Sequence, residues 1–81
     1  MATKFDLRDW LVEALKSKRG KGATIVEVCK YIWQKYEKDL RASGDLFYTW
    51  QYDVRWAATE LRKTGKMKSA AISPQGVWEL S

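Results

Sequence analysis

Three apolar stripes at helical spacing follow one another along this chain, and at Gly65 the helical rhythm stops. The first is Leu7, Trp10, Leu11, Ala14 and Leu15, recurring at i, i+3, i+4, i+7 and i+8 as one face of a helix. Thr3 with Asp6, or Asp6 alone, stands where a cap is needed. The segment KSKRGKG, with its like charges and two glycines, ends this helix by Gly20. The second stripe opens on Thr24-Ile25-Val26-Glu27, a capping box in which the Thr hydroxyl and the Glu carboxylate satisfy each other's backbone N–H groups. Ile25, Val28, Cys29, Ile32, Trp33, Tyr36 and Leu40 then mark one face, and Ser43-Gly44-Asp45 make a turn. The third helix is predicted over 46–64, capped by Asp45 or Thr49 and closed by Gly65 as a left-handed C-terminal residue. Trp50, Val54, Ala57 and Leu61 form its seam, widened by Phe47 and Ala58, and the small alanines allow another helix to approach closely.

Beyond Gly65 the pattern is that of strands. Lys66-Met67-Lys68 alternates polar and apolar, Ser73-Pro74-Gln75-Gly76 signals a turn, and Val77-Trp78-Glu79-Leu80 resumes with β-prone residues. A short antiparallel hairpin follows from this. Such a hairpin is not stable alone, so it must pack on the helices, with Met67 and Trp78 as the contacts. Trp56, which falls opposite the seam of the third helix, is expected to pack under the hairpin. Three helices and a two-stranded hairpin make an α+β, mainly α chain with the order of a winged helix-turn-helix, one domain over residues 1–81.

A chain of 81 residues builds one small core, and five Trp, four Tyr and two Phe give it the apolar area to do so. A single cysteine, Cys29, excludes an intrachain disulfide and a thiolate cluster. It lies on the apolar stripe and reads as an inert packed thiol. The absence of histidine excludes the usual zinc sites and the Ser-His and Cys-His nucleophile pairs. No enzyme is expected, and no cofactor or metal. KSKRGKGAT lacks the spacing of a phosphate-binding loop and follows no strand, so it reads as a basic turn. The apolar runs are too short for a transmembrane span or a signal peptide, which makes a cytoplasmic protein with no membrane partner the expectation.

Fifteen Lys and Arg against ten Asp and Glu leave a net charge of +5, and the cations are clustered. Lys16, Lys18, Arg19, Lys21, Lys30 and Lys35 stand against a single Glu27, and Arg55, Arg62, Lys63, Lys66 and Lys68 against a single Glu60. That is the footprint of a polyanion binder, with a solvated basic surface as the plainer alternative. Turned about 100° per residue, the third helix sets hydroxyls, amphipathic aromatics and cations opposite its seam. If its N-terminal part enters a major groove, Tyr48, Thr49, Gln51, Tyr52 and Arg55 reach the bases, with Thr59 on the same face. Arg62, Lys63, Lys66 and Lys68 then suit phosphates, and Gln75 at the tip of the wing a minor groove. A protein-interaction surface is the competing reading, because Tyr, Trp and Arg also dominate interface hot spots.

The stretch WQYDVRWAATELRKTGKMKSAAISPQGVWEL, residues 50–80, resembles the N-terminal winged-helix domain of Mrr-type restriction endonucleases and its stand-alone relatives. The resemblance is carried by Val54, Arg55, Trp56, Ala57 and Leu61, by the helix-ending Gly65, and by the final Gly76-Val77-Trp78. The first two helices match only in order and length. The resemblance implies a prokaryotic DNA-recognition module of the kind often attached to a nuclease domain. This sequence offers no clustered acids and lysine of a nuclease core, so it would be the reader without the cutter. Double-stranded DNA is then the expected partner, with a separate protein or nuclease subunit as a further one.

Overall fold

The computed structural model describes residues 2–19 and 22–81. Gly20 and Lys21, on which the expected end of the first helix and part of the basic turn fall, lie outside the described residues. The elements follow in the order α1 (Asp6–Ser17), β1 (Ala23–Thr24), α2 (Ile25–Arg41), α3 (Leu46–Lys63) and β2 (Val77–Trp78). This is an α+β, mainly α chain with the layout expected of a winged helix.

The helix ends follow their local chemistry. At α2 both halves of the capping box form: the Glu27 N–H donates to Thr24 Oγ1 at 3.2 Å, and the Thr24 N–H donates to Glu27 Oε1 at 2.9 Å. At α1 only one half forms, with the Asp6 carboxylate accepting the Thr3 N–H at 2.9 Å. At α3 neither Asp45 nor Thr49 caps through its side chain; Asp45 occupies the N-cap position in a helical conformation. The other end of α3 is closed by Gly65 at φ +79°. The Lys66 N–H reaches back to Leu61 C=O at 2.9 Å and the Gly65 N–H to Arg62 C=O at 3.2 Å. Those two bonds are a Schellman closure, which needs a left-handed residue at this point.

The three stripes meet in one core. Leu7, Leu11, Leu15, Val28, Ile32, Leu40 and Val54 are fully buried, with Trp50, Ala57, Ala58 and Leu61 beside them. α1 packs against α3 more extensively than against α2, and the buried Ala57 and Ala58 of α3 permit that approach. Met67 and Trp78 are both buried, as the alternation after Gly65 requires.

The strand pairing differs from the sequence expectation. Val77 and Trp78 do not pair within a hairpin; they pair antiparallel with Thr24 and Ala23, a strand of two residues that follows a glycine and ends in the cap of α2. The hairpin itself is reduced to the Met67–Leu80 bridge, with the Lys68 N–H donating to Glu79 C=O at 2.9 Å and the Ser81 N–H to Lys66 C=O at 3.1 Å. The physical reason is that two strands alone leave their edges unsatisfied. The segment before α2 supplies the third strand position and ties the wing to the helices.

Gly22 makes that pairing possible. It holds φ +85°, and a Cβ placed there would stand 2.8 Å from Glu79 Cγ, 3.0 Å from Val77 Cγ1 and 3.2 Å from Trp78 O. Gly22→Ala combines left-handed strain with overlap against the Glu79 side chain and a tight approach to the Trp78 carbonyl, and is expected to cost about 2–3 kcal/mol. Gly44→Ala meets only the strain, at φ +59° in open space, and should cost about 1 kcal/mol. Urea denaturation of both variants checks the ranking.

A polar clamp joins α1 to α2. Glu13 accepts hydrogen bonds from the Tyr31 hydroxyl at 2.9 Å and the Tyr36 hydroxyl at 2.8 Å, and pairs with Lys35 Nζ at 2.8 Å. Trp10 stacks on Tyr36 with centroids 4.0 Å apart, and α2 departs from helical geometry at Tyr36 itself. The Lys35 hydrogen bond, with those from Tyr36 and Tyr31, holds the Glu13 carboxyl below its ordinary 4.5 against the opposing effect of desolvation. A carboxyl depressed in the folded state adds stability that is present above 4.5 and is lost as the pH falls through the folded value. Glu13→Gln is therefore expected to flatten the acid limb of the stability–pH curve below that point, read as urea midpoints from pH 3 to 6.

Trp56 corrects one expectation. It is half-buried as a packing residue, but not under the wing. Its ring meets the edge of Phe5 at 5.6 Å, and Lys4 Nζ lies 4.6 Å from its centroid. Trp56 packs toward the segment that precedes α1.

Candidate nucleic-acid interface

With its seam buried against α1 and α2, α3 turns its other face to solvent. Tyr48 is 83% exposed and Tyr52 is 76% exposed, so neither covers the edge of the core. Gln51, Arg55 and Thr59 are exposed beside them. Among the described residues, Tyr48, Gln51, Tyr52 and Arg55 show no intramolecular hydrogen bond or ion pair through their side chains. The spacing of Tyr48, Tyr52, Arg55 and Thr59 places them on one side of the helix.

Other expected contacts are partly occupied within the chain. Thr49 donates to Asp53 at 2.8 Å on the flank of α3, so it does not join the outer face. Thr59 donates to its own helix at Arg55 C=O, 3.2 Å away. Arg62 Nε donates to Lys68 C=O at 3.1 Å and fastens the end of α3 to the start of the wing. Lys63 pairs with Glu60 at 3.3 Å, and Lys68 with Glu79 at 3.7 Å. The Lys63–Glu60 pair lies at the surface and is worth about 0–1 kcal/mol, so a phosphate can compete for Lys63, whereas the Glu79 side chain that holds Lys68 is only 18% exposed.

The set of expected contact residues divides in space. Gln51 and Arg55 line a groove of about 570 Å³ between α2 and α3. Arg62 and Gln75 line a smaller depression of about 260 Å³ beneath the wing turn, where the Val77 N–H closes onto Pro74 C=O. Ile25, at the start of α2, borders both, so these four polar side chains follow one edge of the molecule. Lys66 stands elsewhere, in a hollow with Arg8, Asp9 and Glu60 against α1. Of the first basic cluster, Lys35 turns to Glu13 and Lys18 pairs with Glu27 at 3.6 Å.

No family model, curated protein or solved structure matches the chain. The site is therefore read from its own geometry.

Sequence reasoning overlooked the α2 wall of the groove. Val26 is largely exposed, Lys30 is exposed, and Cys29 is only half-buried. An apolar Val26 immediately before Glu27, off the buried stripe, was the available signal. Burial raises the Cys29 thiol above its ordinary value, and nearby Arg55 opposes that shift, so the thiol is neutral at physiological pH. Among the described residues, no group of three His, Cys, Asp or Glu is placed to hold a metal ion. No helix among them is long and apolar enough to cross a membrane.

Proposed function

We propose that this chain is a non-enzymatic DNA-binding winged-helix module that lays the outer face of α3 in the major groove of a duplex. One observation carries the reading. Tyr48, Gln51, Tyr52 and Arg55 stand together in solvent on the N-terminal two-thirds of α3 with no side-chain hydrogen bond or ion pair among the described residues, Tyr48 resting edge-on against Phe47, on a chain of net charge +5. Their chemistry suits base edges: Arg55 can fork to guanine, Gln51 to adenine, and the tyrosines can touch a thymine methyl or a phosphate. Arg62 and Gln75 extend the same edge toward the wing, where flanking phosphates and a minor groove would lie.

The resemblance to Mrr-type N-terminal domains supports the same reading through Arg55, Trp56 and the Gly76-Val77-Trp78 ending. On that view the module serves a nuclease or other effector, and the cytoplasm of a prokaryote is the setting. A second reading has its own observation. Two tyrosines this exposed, one turn apart, also suit the core of a protein interface. Backbone amide NMR of the labelled protein with a random-sequence duplex separates the two. DNA reading predicts shifts concentrated at residues 48–55 and at the wing turn around Gln75. Perturbation elsewhere, or none, contradicts it.

A further inference from the structure

The groove between α2 and α3 has a character that duplex recognition does not require. Its floor and walls are apolar and aromatic, from Val26, Cys29 and Trp33 on α2 to Phe47 and Trp50 on α3. Trp33 and Trp50 lie nearly parallel, 6° apart with centroids at 6.1 Å. The polar groups are few: two cations, Lys30 on the α2 wall and Arg55 on the α3 wall, and the neutral Gln51 amide. Both cations are exposed, and neither forms an ion pair among the described residues. No acid is among the described residues that line the groove, and the thiol that does is neutral. At about 570 Å³ it falls within the ~300–1,000 Å³ range of small-molecule sites, which pair an apolar lining with a few convergent polar groups.

We propose that this groove binds a small aromatic carboxylate, its ring system between Cys29 and the Trp33–Trp50 pair and its carboxylate between Lys30 and Arg55. Charge complementarity selects this class of occupant. A neutral ring would leave the cations of both walls unused, and a cation would be repelled by both. Arg forks onto a carboxylate with two parallel N–H bonds, and Lys adds a point charge from the opposite wall. Arg55 and Gln51 also belong to the edge assigned to DNA, so a bound carboxylate would withdraw Arg55 from bases. That consequence alone rests on the DNA reading; the site itself does not.

The test uses the free protein, without DNA, so that its result stands whatever the fate of the DNA reading. 1-Naphthoate is titrated to 5 mM against nitrogen-labelled protein while the assigned indole N–H signals of the tryptophans are followed. The expected result is saturable movement of the Trp33 and Trp50 signals with a Kd of about 1 mM or tighter, and little movement of Trp10 and Trp56. Neutral 1-naphthalenemethanol should bind at least about tenfold more weakly. Lys30→Gln and Arg55→Gln, both at exposed positions, should each weaken naphthoate about threefold or more while leaving the remaining spectrum folded. Cys29 is the only thiol in the chain, so saturating naphthoate should also slow its alkylation by iodoacetamide about threefold or more. Absence of saturable shifts at Trp33 and Trp50, or equal binding of the neutral alcohol, would overturn the proposal.

Discussion

Trp78→Ala is expected to lower the melting temperature by at least about 12 °C. Trp78 is 5% exposed, and it belongs to the strand that pairs with Ala23–Thr24 on one side and leads into the Met67–Leu80 bridge on the other. Removing an indole from such a position leaves a cavity bounded by strand backbone, which cannot collapse into it. Phe or Trp to Ala changes in cores cost about 3–5 kcal/mol. A domain of this size holds only about 5–15 kcal/mol in total and is expected near the lower end. Each 1 kcal/mol corresponds to about 4–8 °C for a domain of about 60–100 residues, which gives the stated fall. Thermal melts by circular dichroism measure it. A melting temperature within a few degrees of wild type would mean that the wing contributes nothing to the core, contrary to the β1–β2 pairing.

The second large effect concerns salt. Duplex binding through Arg62, Lys63 and Lys68, with one to three further cations, neutralises about four to six phosphates. The logarithm of affinity then falls with the logarithm of salt at a slope of about −0.9 per phosphate. Between 50 and 200 mM salt the affinity should drop by about 10²–10³-fold. The sequence alone suggests the upper figure, from about six contacts and a loss of about 10³-fold. The internal pairing of Lys63 with Glu60 and of Lys68 with Glu79 shifts the expectation downward. Those carboxylates stay close to the cations they would have to release. A docked protein partner packing on Tyr48 and Tyr52 would show far weaker salt dependence.

How much of this could be read from the chain differs by element. The helices were legible because each carries a stripe at a period of about 3.6 residues and a local end signal. Thr24 with Glu27, and Gly65, act within a few residues of their own backbone and behave as expected. The β1 strand was not legible. Ala23–Thr24 has no alternation to display, and its strand character comes wholly from Val77–Trp78, more than fifty residues away. Trp56 was placed on the right face of α3 by its spacing, but its neighbour comes from Phe5, before α1, where no periodic signal exists. The Glu13 clamp was hidden for a related reason: Tyr31, Lys35 and Tyr36 converge on one carboxylate only after α1 and α2 have packed. Within the site, the composition of the exposed face of α3 followed from the wheel. Which of its cations are free did not, because Arg62, Lys63 and Lys68 find their partners through tertiary contacts or local rotamers.

The most direct measurement is fluorescence anisotropy of a labelled random-sequence duplex titrated with wild type and with Arg55→Ala/Lys63→Ala at 50, 100 and 200 mM salt. Arg62 is left intact because it fastens α3 to the wing. The expected result is wild-type binding with a slope of about −4 to −5, and a variant that stays folded, binds more weakly at every salt, and loses about one unit of slope for the phosphate contact of Lys63. Absence of binding at 50 mM salt, or a folded variant indistinguishable from wild type, would contradict the claim that the outer face of α3 is made to meet DNA.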